Sequence, residues 1–164
     1  MKSVRTVVVM GACLIVFCTF TPTVAAEDTG VEVQEVKVVV VEQNLVVLLI
    51  IGDRFVPIHV DATVAGSIHS VLSGIPTPRP LSHDLMRLIL LELGAKVTRT
   101  VITLKEKTYY ADLTITMGDR TWIFDSRSSD AIALALLFKA PIVVTKATWD
   151  SASQAWEEPK GETS

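Results

Sequence analysis

Three short runs of aliphatic residues dominate the segment from residue 31 to residue 60, and they constrain the fold more than any other feature of the chain. The run at 31–41 begins with alternating valines and becomes continuous, while those at 45–51 and 55–60 are short and apolar. Because β-branched side chains pack well on a pleated surface, each run predicts a strand. Turn residues separate the runs, so the second and third strands are expected to form a hairpin.

Two helices are predicted next. Apolar residues recur at helical spacing over 62–73, and Gly74 follows where a helix commonly ends. Residues 75–80 contain three prolines, which remove backbone donors and exclude regular structure. Ser82 then stands at an N-cap position before a second helix over 83–93, which carries a broad apolar face.

A meander, a third helix and a last strand complete the predicted order. The alternating segments 97–104, 109–116 and 121–124 are joined by short polar turns and predict three antiparallel strands. A final strand is expected at 142–144. The order β-β-β-α-α-β-β-β-α-β indicates an α+β fold with mostly antiparallel sheets and with helices packed on the sheet.

The third helix is predicted over Asp130–Lys139, with Ser128 or Ser129 as its cap. Nearly all of its residues are apolar, and a helix that is apolar on every side belongs in a protein core. We therefore expect this helix to be buried.

The N-terminal segment has the features of a secretory signal peptide over residues 1–26. Lys2 and Arg5 precede an uncharged run, and small residues at 24–26 precede the first acids. The apolar run is shorter than the ~18–20 residues that a membrane-spanning helix needs, which disfavours an uncleaved anchor. We expect an exported protein, periplasmic or secreted, with no membrane anchor after cleavage, a domain at 27–147 and a polar C-terminal tail at 148–164.

Cleavage is expected to leave a mature chain that begins at Ala26 or Glu27. The intact mass of the exported form measures this directly. A membrane-bound product that retains Met1 would contradict the prediction.

Charge and cysteine content narrow the possible chemistry of the mature chain. Cys13 and Cys18 both lie in the signal peptide, so a disulfide, a thiolate metal site and a cysteine nucleophile are excluded after cleavage. Because Lys2 and Arg5 leave with the same segment, 13 of the 15 basic residues remain beside all 18 acidic ones. This balance argues against an extended phosphate-neutralising surface.

The first polar block that could carry chemistry precedes the second helix, where Arg79, His83 and Asp84 lie close together in the sequence. Backbone N–H groups at a helix start favour an anion, so these side chains could form a binding site. The alternative is structural. Asp84 would complement the helix dipole, and Arg79 would pair with it.

The second polar block joins the last strand of the meander to the third helix. Asp125 and Asp130 lie five residues apart across a polar turn that contains Arg127. Such carboxylates could share a divalent cation. The alternative is that Asp130 only stabilises the helix start, and that Arg127 pairs with one of the acids.

Four sequence blocks together resemble the bifunctional nuclease domain family. They are Phe55-Val56-Pro57-Ile58, PRPLSHDL at 78–85, DSRSSDAIALAL at 125–136 and Ala140-Pro141-Ile142, and the similarity spans residues 31–145. The resemblance implies an α+β domain, reported in the plant members to degrade both RNA and DNA. It also implies self-association.

The resemblance assigns positions rather than an established mechanism. The residues that match the family blocks are Arg79, His83, Asp84, Asp125, Arg127, Ser129 and Asp130. The chain departs from the family where a Trp, a Gly and a Glu-Ala pair are usual, and has His59, Asp61 and Val64-Ala65 instead. The usual acid of the first helix is therefore missing, and Asp61 is its possible replacement.

Two functions from different classes follow. The first function is that of a nuclease. In it, Asp84, Asp125 and Asp130 would hold Mg²⁺ or Mn²⁺, and His83 would act as general base or acid. RNA or DNA would be bound by Arg79, Arg127 and Ser129. In the second, the domain is catalytically inactive and forms an oligomer or binds a ligand or a partner, and the polar blocks are caps and turns.

Overall fold

The computed structural model describes residues 30–75 and 77–155, which leaves the predicted signal peptide and the end of the predicted tail outside the described residues. The predicted α+β order is confirmed. Its elements are β1 (Gly30–Glu32), β2 (Glu35–Val41), β3 (Asn44–Ile51), β4 (Arg54–Val60), α1 (Ala62–Ser73), α2 (Ser82–Glu92), β5 (Ala95–Lys105), β6 (Thr108–Met117), β7 (Arg120–Arg127), α3 (Ser128–Phe138), β8 (Ile142–Thr145), α4 (Lys146–Ala152) and β9 (Gln154–Ala155).

The strands form two sheets. One has the order β2-β3-β4-β9 and is antiparallel throughout. The other has the order β1-β8-β5-β6-β7, in which only β5 and β8 are parallel. The predicted hairpin and meander are thus present, and β7 lies at one edge of the second sheet.

Helix α3 lies at the centre of the molecule. It contacts β4 of the first sheet, β5, β6 and β7 of the second, and both α1 and α2. Residues 131–135 are each at most 2% exposed, so the burial expected for this helix is confirmed. Helix α1 covers the first sheet, and α2 lies on the second.

The predicted caps of two helices are wrong. Helix α3 begins at Ser128 with Arg127 at the cap position, because β7 continues to Arg127 and leaves no loop residue between strand and helix. Helix α2 begins at Ser82 itself, after Leu81. Its Asp84 carboxylate accepts a hydrogen bond from the Leu81 backbone N–H at 2.9 Å, which satisfies a donor at the helix start.

A fourth helix lies in the segment predicted to be a polar tail. The Thr148 hydroxyl of α4 is buried and accepts a hydrogen bond from the Leu104 backbone N–H at 2.7 Å. Trp149 packs against the Arg54 guanidinium, whose centre lies 5.4 Å from the ring. No helix in the described part of the chain is long and apolar enough to cross a membrane.

Candidate functional site

An ion pair with two hydrogen bonds joins Arg127, at the end of β7, to Asp130, in the first turn of α3. Nε of Arg127 donates to Oδ2 of Asp130 at 2.7 Å, and Nη2 donates to Oδ1 at 3.0 Å. Two parallel bonds of this kind fix the orientation of both groups. The Arg127 side chain is nevertheless 66% exposed, so its guanidinium is held in place while it faces solvent.

His83 lies behind this pair and is only 5% exposed. Its Nδ1 is 3.0 Å from Oγ of Ser67 on α1, and its Nε2 is 3.2 Å from Oδ1 of Asp130. A neutral ring accepts from the Ser67 hydroxyl and donates to Asp130, whereas an imidazolium donates to both. Both ring nitrogens are therefore occupied in either state.

Asp61 joins the cluster from the start of α1. Its Oδ1 accepts a hydrogen bond from the Val64 backbone N–H at 2.9 Å, which caps the helix. Its Oδ2 lies 3.4 Å from Nη1 of Arg127. One guanidinium thus links two carboxylates that belong to different helix starts.

Three helix starts meet at this place, which explains why acids gather there. Asp61 precedes α1, His83 lies in the first turn of α2, and Asp130 lies in the first turn of α3. Each helix start carries partial positive charge, so a carboxylate beside it is stabilised. The cluster is held by secondary structure rather than by a flexible loop.

The cluster borders two cavities. One of about 570 Å³ lies between α2 and β7 and is lined by Ser82, His83, Met86, Leu113, Ser126 and Leu134 beside Asp61, Arg127 and Asp130. Another of about 490 Å³ lies on the other side of Arg127, where Lys107, Tyr109, His59 and Ser129 contribute to its wall. A larger groove near β2 contains no residue that the sequence assigned to a site.

The pKa of Asp130 is lowered by its partners. Burial alone would raise it, because an ionised carboxylate is less well solvated inside a protein. The hydrogen bonds from Arg127 and His83, together with the positive charge of Arg127, outweigh burial and bring the pKa below its ordinary value. The carboxylate is therefore ionised in the resting cluster at neutral pH.

This shift predicts how acid affects stability. A carboxylate whose pKa is lowered on folding stabilises the fold above the pKa of the unfolded chain, and that contribution is lost as the pH falls through the folded-state pKa. The free energy of unfolding of the wild type should therefore approach that of Asp130→Asn as the pH is lowered from about 6 to about 2. Urea unfolding of both proteins across this range measures the difference, and a constant gap would contradict the assignment.

The structure brings only some of the predicted site residues together. Arg127, Asp130 and His83 form the cluster, and Ser129 lies beside it in the wall of the second cavity. Asp84 accepts a hydrogen bond from the Leu81 backbone N–H, which caps helix α2, and its predicted role in a site stays a prediction.

Asp125 and Arg79 lie away from the cluster. Asp125 is exposed on β7, directly opposite Asp112 of β6. Neighbouring strand residues point to opposite faces, and Ser126 is the one that lines the first cavity. Arg79 is exposed in the proline-rich connection and lines neither cavity.

The donor set in this arrangement does not fit a resident divalent cation. Within residues 30–75 and 77–155, no three His, Cys, Asp or Glu side chains converge as metal ligands. The Asp130 oxygens are taken by Arg127 and His83, and the Asp84 carboxylate is taken by Leu81. Assistance by Mg²⁺ or Mn²⁺ stays a prediction.

Sequence reasoning missed Ser67 and treated Asp61 only as a replacement acid. Ser67 lies between Val64 and Ile68 on the buried face of α1 and is itself buried. A serine on an apolar helix face was the available signal, because a buried hydroxyl needs a partner. The partner, His83, is 16 residues away, and only the packing of α1 beside α2 reveals it.

Comparison with known proteins gives two findings. A family model described as "Bifunctional nuclease domain" matches residues 45–157. Two proteins of Mycobacterium tuberculosis, both called uncharacterized proteins, MT1877 of strain CDC 1551 / Oshkosh and Rv1829 of strain ATCC 25618 / H37Rv, are each 38% identical to the chain over 109 residues. The match covers 64% of this chain and 65% of each relative, so it spans less than two thirds of the relatives' length.

Proposed function

The chain belongs to the bifunctional nuclease domain family, and from that premise we propose that it is a nuclease that hydrolyses phosphodiester bonds of RNA, DNA or both at the Arg127–Asp130–His83 cluster. One observation carries the proposal. The exposed guanidinium of Arg127 is held by the Asp130 carboxylate, which also contacts the buried His83, and it lies between two cavities. All three residues match the family blocks of the sequence.

Arg127 is the proposed phosphate ligand. A guanidinium offers a planar fork of donors that matches two phosphate oxygens. In the resting cluster Asp61 and Asp130 together outweigh the single charge of Arg127, and a phosphate that binds the guanidinium through its Nε and Nη2 donors displaces Asp130 from them. Substrate binding is therefore expected to be weak and sensitive to salt.

Displacement of Asp130 from Arg127 would also make the Asp130 carboxylate more basic. Arg127 is the strongest of the partners that keep the pKa of Asp130 low. If substrate phosphate takes over the guanidinium, those hydrogen bonds are lost and Asp130 becomes a better proton acceptor. Asp130 would then take a proton from the attacking water as its oxygen bonds to phosphorus. The P–O bond to the leaving sugar oxygen breaks, that oxygen is protonated by solvent, and Arg127 stabilises the charge that develops on the phosphoryl oxygens.

His83 is best described as a positioning residue in this scheme. Its buried ring has no free nitrogen, so a proton could reach it only through Asp130 or after their contact opens. Its hydrogen bond fixes Oδ1 of Asp130 and, through Asp130, the orientation of Arg127. Ser67 holds the other side of the ring.

The test is an assay of the purified protein on single-stranded RNA and single-stranded DNA, with EDTA, with Mg²⁺ and with Mn²⁺ in separate arms. We expect hydrolysis that Arg127→Gln lowers by ~100-fold or more in kcat/KM, because a charge-stabilising donor is lost. Arg79→Gln is the matched control and should retain activity within about 3-fold.

The EDTA and metal conditions distinguish the possible outcomes. Activity that depends on added metal would establish the divalent cation that the sequence predicted. Equal activity in EDTA would contradict that prediction. No hydrolysis in any arm, or equal losses in the two arginine variants, would contradict the proposed site.

A second candidate is a domain that self-associates or binds a partner without catalysis. The observation that favours it is the exposed apolar surface of helix α2. The balance of charge at Arg127 also favours it, since the resting cluster has no net positive charge to offer a polyanion. The activity assay separates the two candidates, because only the nuclease hydrolyses its ligand.

We also propose that the protein acts outside the cytoplasm, in the periplasm or after secretion. The support is the signal-peptide pattern at 1–26. The intact mass of the exported form tests this proposal independently of the nuclease assay.

A further inference from the structure

The second cavity beside Arg127, with a volume of about 490 Å³, is bordered by residues from three separate elements. Strand β4 contributes His59, the turn between β5 and β6 contributes Lys107, and the start of α3 contributes Ser128 and Ser129. The volume lies within the ~300–1,000 Å³ of sites that hold small ligands. The cavity is therefore large enough for part of a substrate strand.

Two buried hydroxyl groups in this cavity lack a partner among the described residues. Ser128 and Ser129 are 5% and 8% exposed, and within the described chain neither side chain makes a hydrogen bond. The Thr100 hydroxyl also lacks a partner there, but it is enclosed in the core, whereas both serines border an open cavity. Because buried polar groups are ordinarily paired, these two hydroxyls are available to a ligand.

No side chain in the described part of the molecule caps the start of α3. Arg127 occupies the cap position, where a guanidinium cannot accept a hydrogen bond. The Asp130 carboxylate is bound to Arg127 and His83 instead. Free N–H groups and partial positive charge at a helix start favour an anion. The helix start and the two serine hydroxyls therefore offer donors to the same ligand.

Charge distinguishes this cavity from the first one. The Lys107 side chain is exposed and makes no ion pair within the described residues, and Asp61 is the one acid among the described residues that line the cavity. Both Asp61 oxygens are engaged, one by the Val64 backbone N–H and the other by Arg127. The first cavity has Arg127 with two acids, Asp61 and Asp130, so the second is the more positive. Phosphate is the anion that fits an ammonium group, hydroxyls and a helix start together.

We propose that the second cavity binds the phosphate next to the one that is hydrolysed, so that the substrate is a strand with at least two phosphates. This inference rests on the proposed nuclease function, in which Arg127 holds the phosphate under attack. Because Arg127 and Lys107 border the same cavity, a strand bound at Arg127 can place its neighbouring phosphate against Lys107 and the two serines. Lys107 thus supplies the positive charge that the resting cluster lacks.

Hydrolysis of a dinucleotide with one phosphate and of a trinucleotide with two, in the uridine and thymidine series, tests the proposal. The wild type should have a kcat/KM that is ~20-fold or more higher on the trinucleotide. Lys107→Gln should lower the ratio of the two kcat/KM values by ~10-fold or more, and Ser128→Ala by ~5-fold or more, because each removes a donor to the second phosphate. Equal kcat/KM values of the wild type on both substrates would overturn the proposal.

Lys105→Gln is the matched control for Lys107→Gln. Lys105 is exposed on the same hairpin, lies over the Tyr110 ring and lines neither cavity, so its variant should keep the ratio within about 2-fold. Glutamine is compatible with the turn at Lys107, where φ is 68°, because Gln43 has a φ of 71° in the turn between β2 and β3. Circular dichroism checks that each variant is folded.

Titration with inorganic phosphate, followed by NMR of the Ser128 and Ser129 backbone amides, separates this proposal from the nuclease function. Saturable shifts that Lys107→Gln weakens by ~10-fold or more, and Lys105→Gln does not, would support the phosphate site even if the wild type hydrolysed neither nucleotide. The absence of such shifts would overturn it. A wild type that hydrolyses both nucleotides, with a ratio that Lys107→Gln and Ser128→Ala leave unchanged or that Lys105→Gln lowers equally, would overturn the phosphate site and leave the nuclease function standing.

Discussion

Leu134→Asp is expected to abolish soluble folding of this domain. Leu134 is 2% exposed near the middle of α3, and its neighbours at 131–135 are equally buried. A carboxylate there would lose its hydration without gaining a partner. We expect a cost above ~3 kcal/mol, which is a large part of the ~5–15 kcal/mol that stabilises a typical domain.

Urea unfolding and circular dichroism measure this effect. Leu134→Ala gives a graded version, with an expected loss of about 2–4 kcal/mol that leaves the protein folded enough to titrate. Val40→Asp introduces the same charge at an exposed valine and should have little effect. A cooperative transition of Leu134→Asp at the wild-type midpoint would show that α3 is not at the centre of the core.

Helix α3 illustrates what sequence could determine. A run of eight apolar residues at 131–138, between a polar turn and Lys139, predicts a buried helix, and the structure has one there. Most strands could be predicted equally well, because β-branched runs and short polar turns mark them locally. The run at 31–41, predicted as one strand, is two strands, β1 and β2, which belong to different sheets. Each of these signals is contained within about a dozen residues.

Helix α4 could not be predicted from local sequence signals. Its residues are polar and its apolar periodicity is weak, so propensity alone predicts a tail. What stabilises it is distant in sequence, since Thr148 accepts from Leu104 and Trp149 packs against Arg54. Only the folded sheets bring these partners together.

The candidate site shows the same division between local and distant information. The sequence identified both polar blocks, but it could not tell Asp84 from Asp130, because each lies in the first turn of a helix. The difference lies in their partners: Asp84 accepts from its own helix start, whereas Asp130 is bound by residues from β7 and α2. That distinction requires the three helix starts to meet.

Asp130→Asn is expected to lower nuclease activity by ~100-fold or more while the protein stays folded. Asparagine has nearly the same size, but it cannot hold Arg127 through two charged hydrogen bonds or act as the proposed proton acceptor. Because the pair is partly exposed, the free energy of unfolding should fall by only about 1 kcal/mol.

Two matched controls separate catalysis from capping. Asp84→Asn changes an acid at the equivalent position of α2 and should cost only about 0.3–1 kcal/mol of stability, with activity retained. Asp125→Asn changes an exposed acid five residues before Asp130 and should alter neither quantity.

The most direct test of the proposed site is therefore kcat/KM for phosphodiester hydrolysis, measured side by side for the wild type, Asp130→Asn and Asp84→Asn on the same single-stranded substrate. We expect measurable wild-type hydrolysis, a loss of ~100-fold or more in Asp130→Asn and near-wild-type activity in Asp84→Asn. An inactive wild type, or an Asp130→Asn protein as active as Asp84→Asn, would contradict the proposed site.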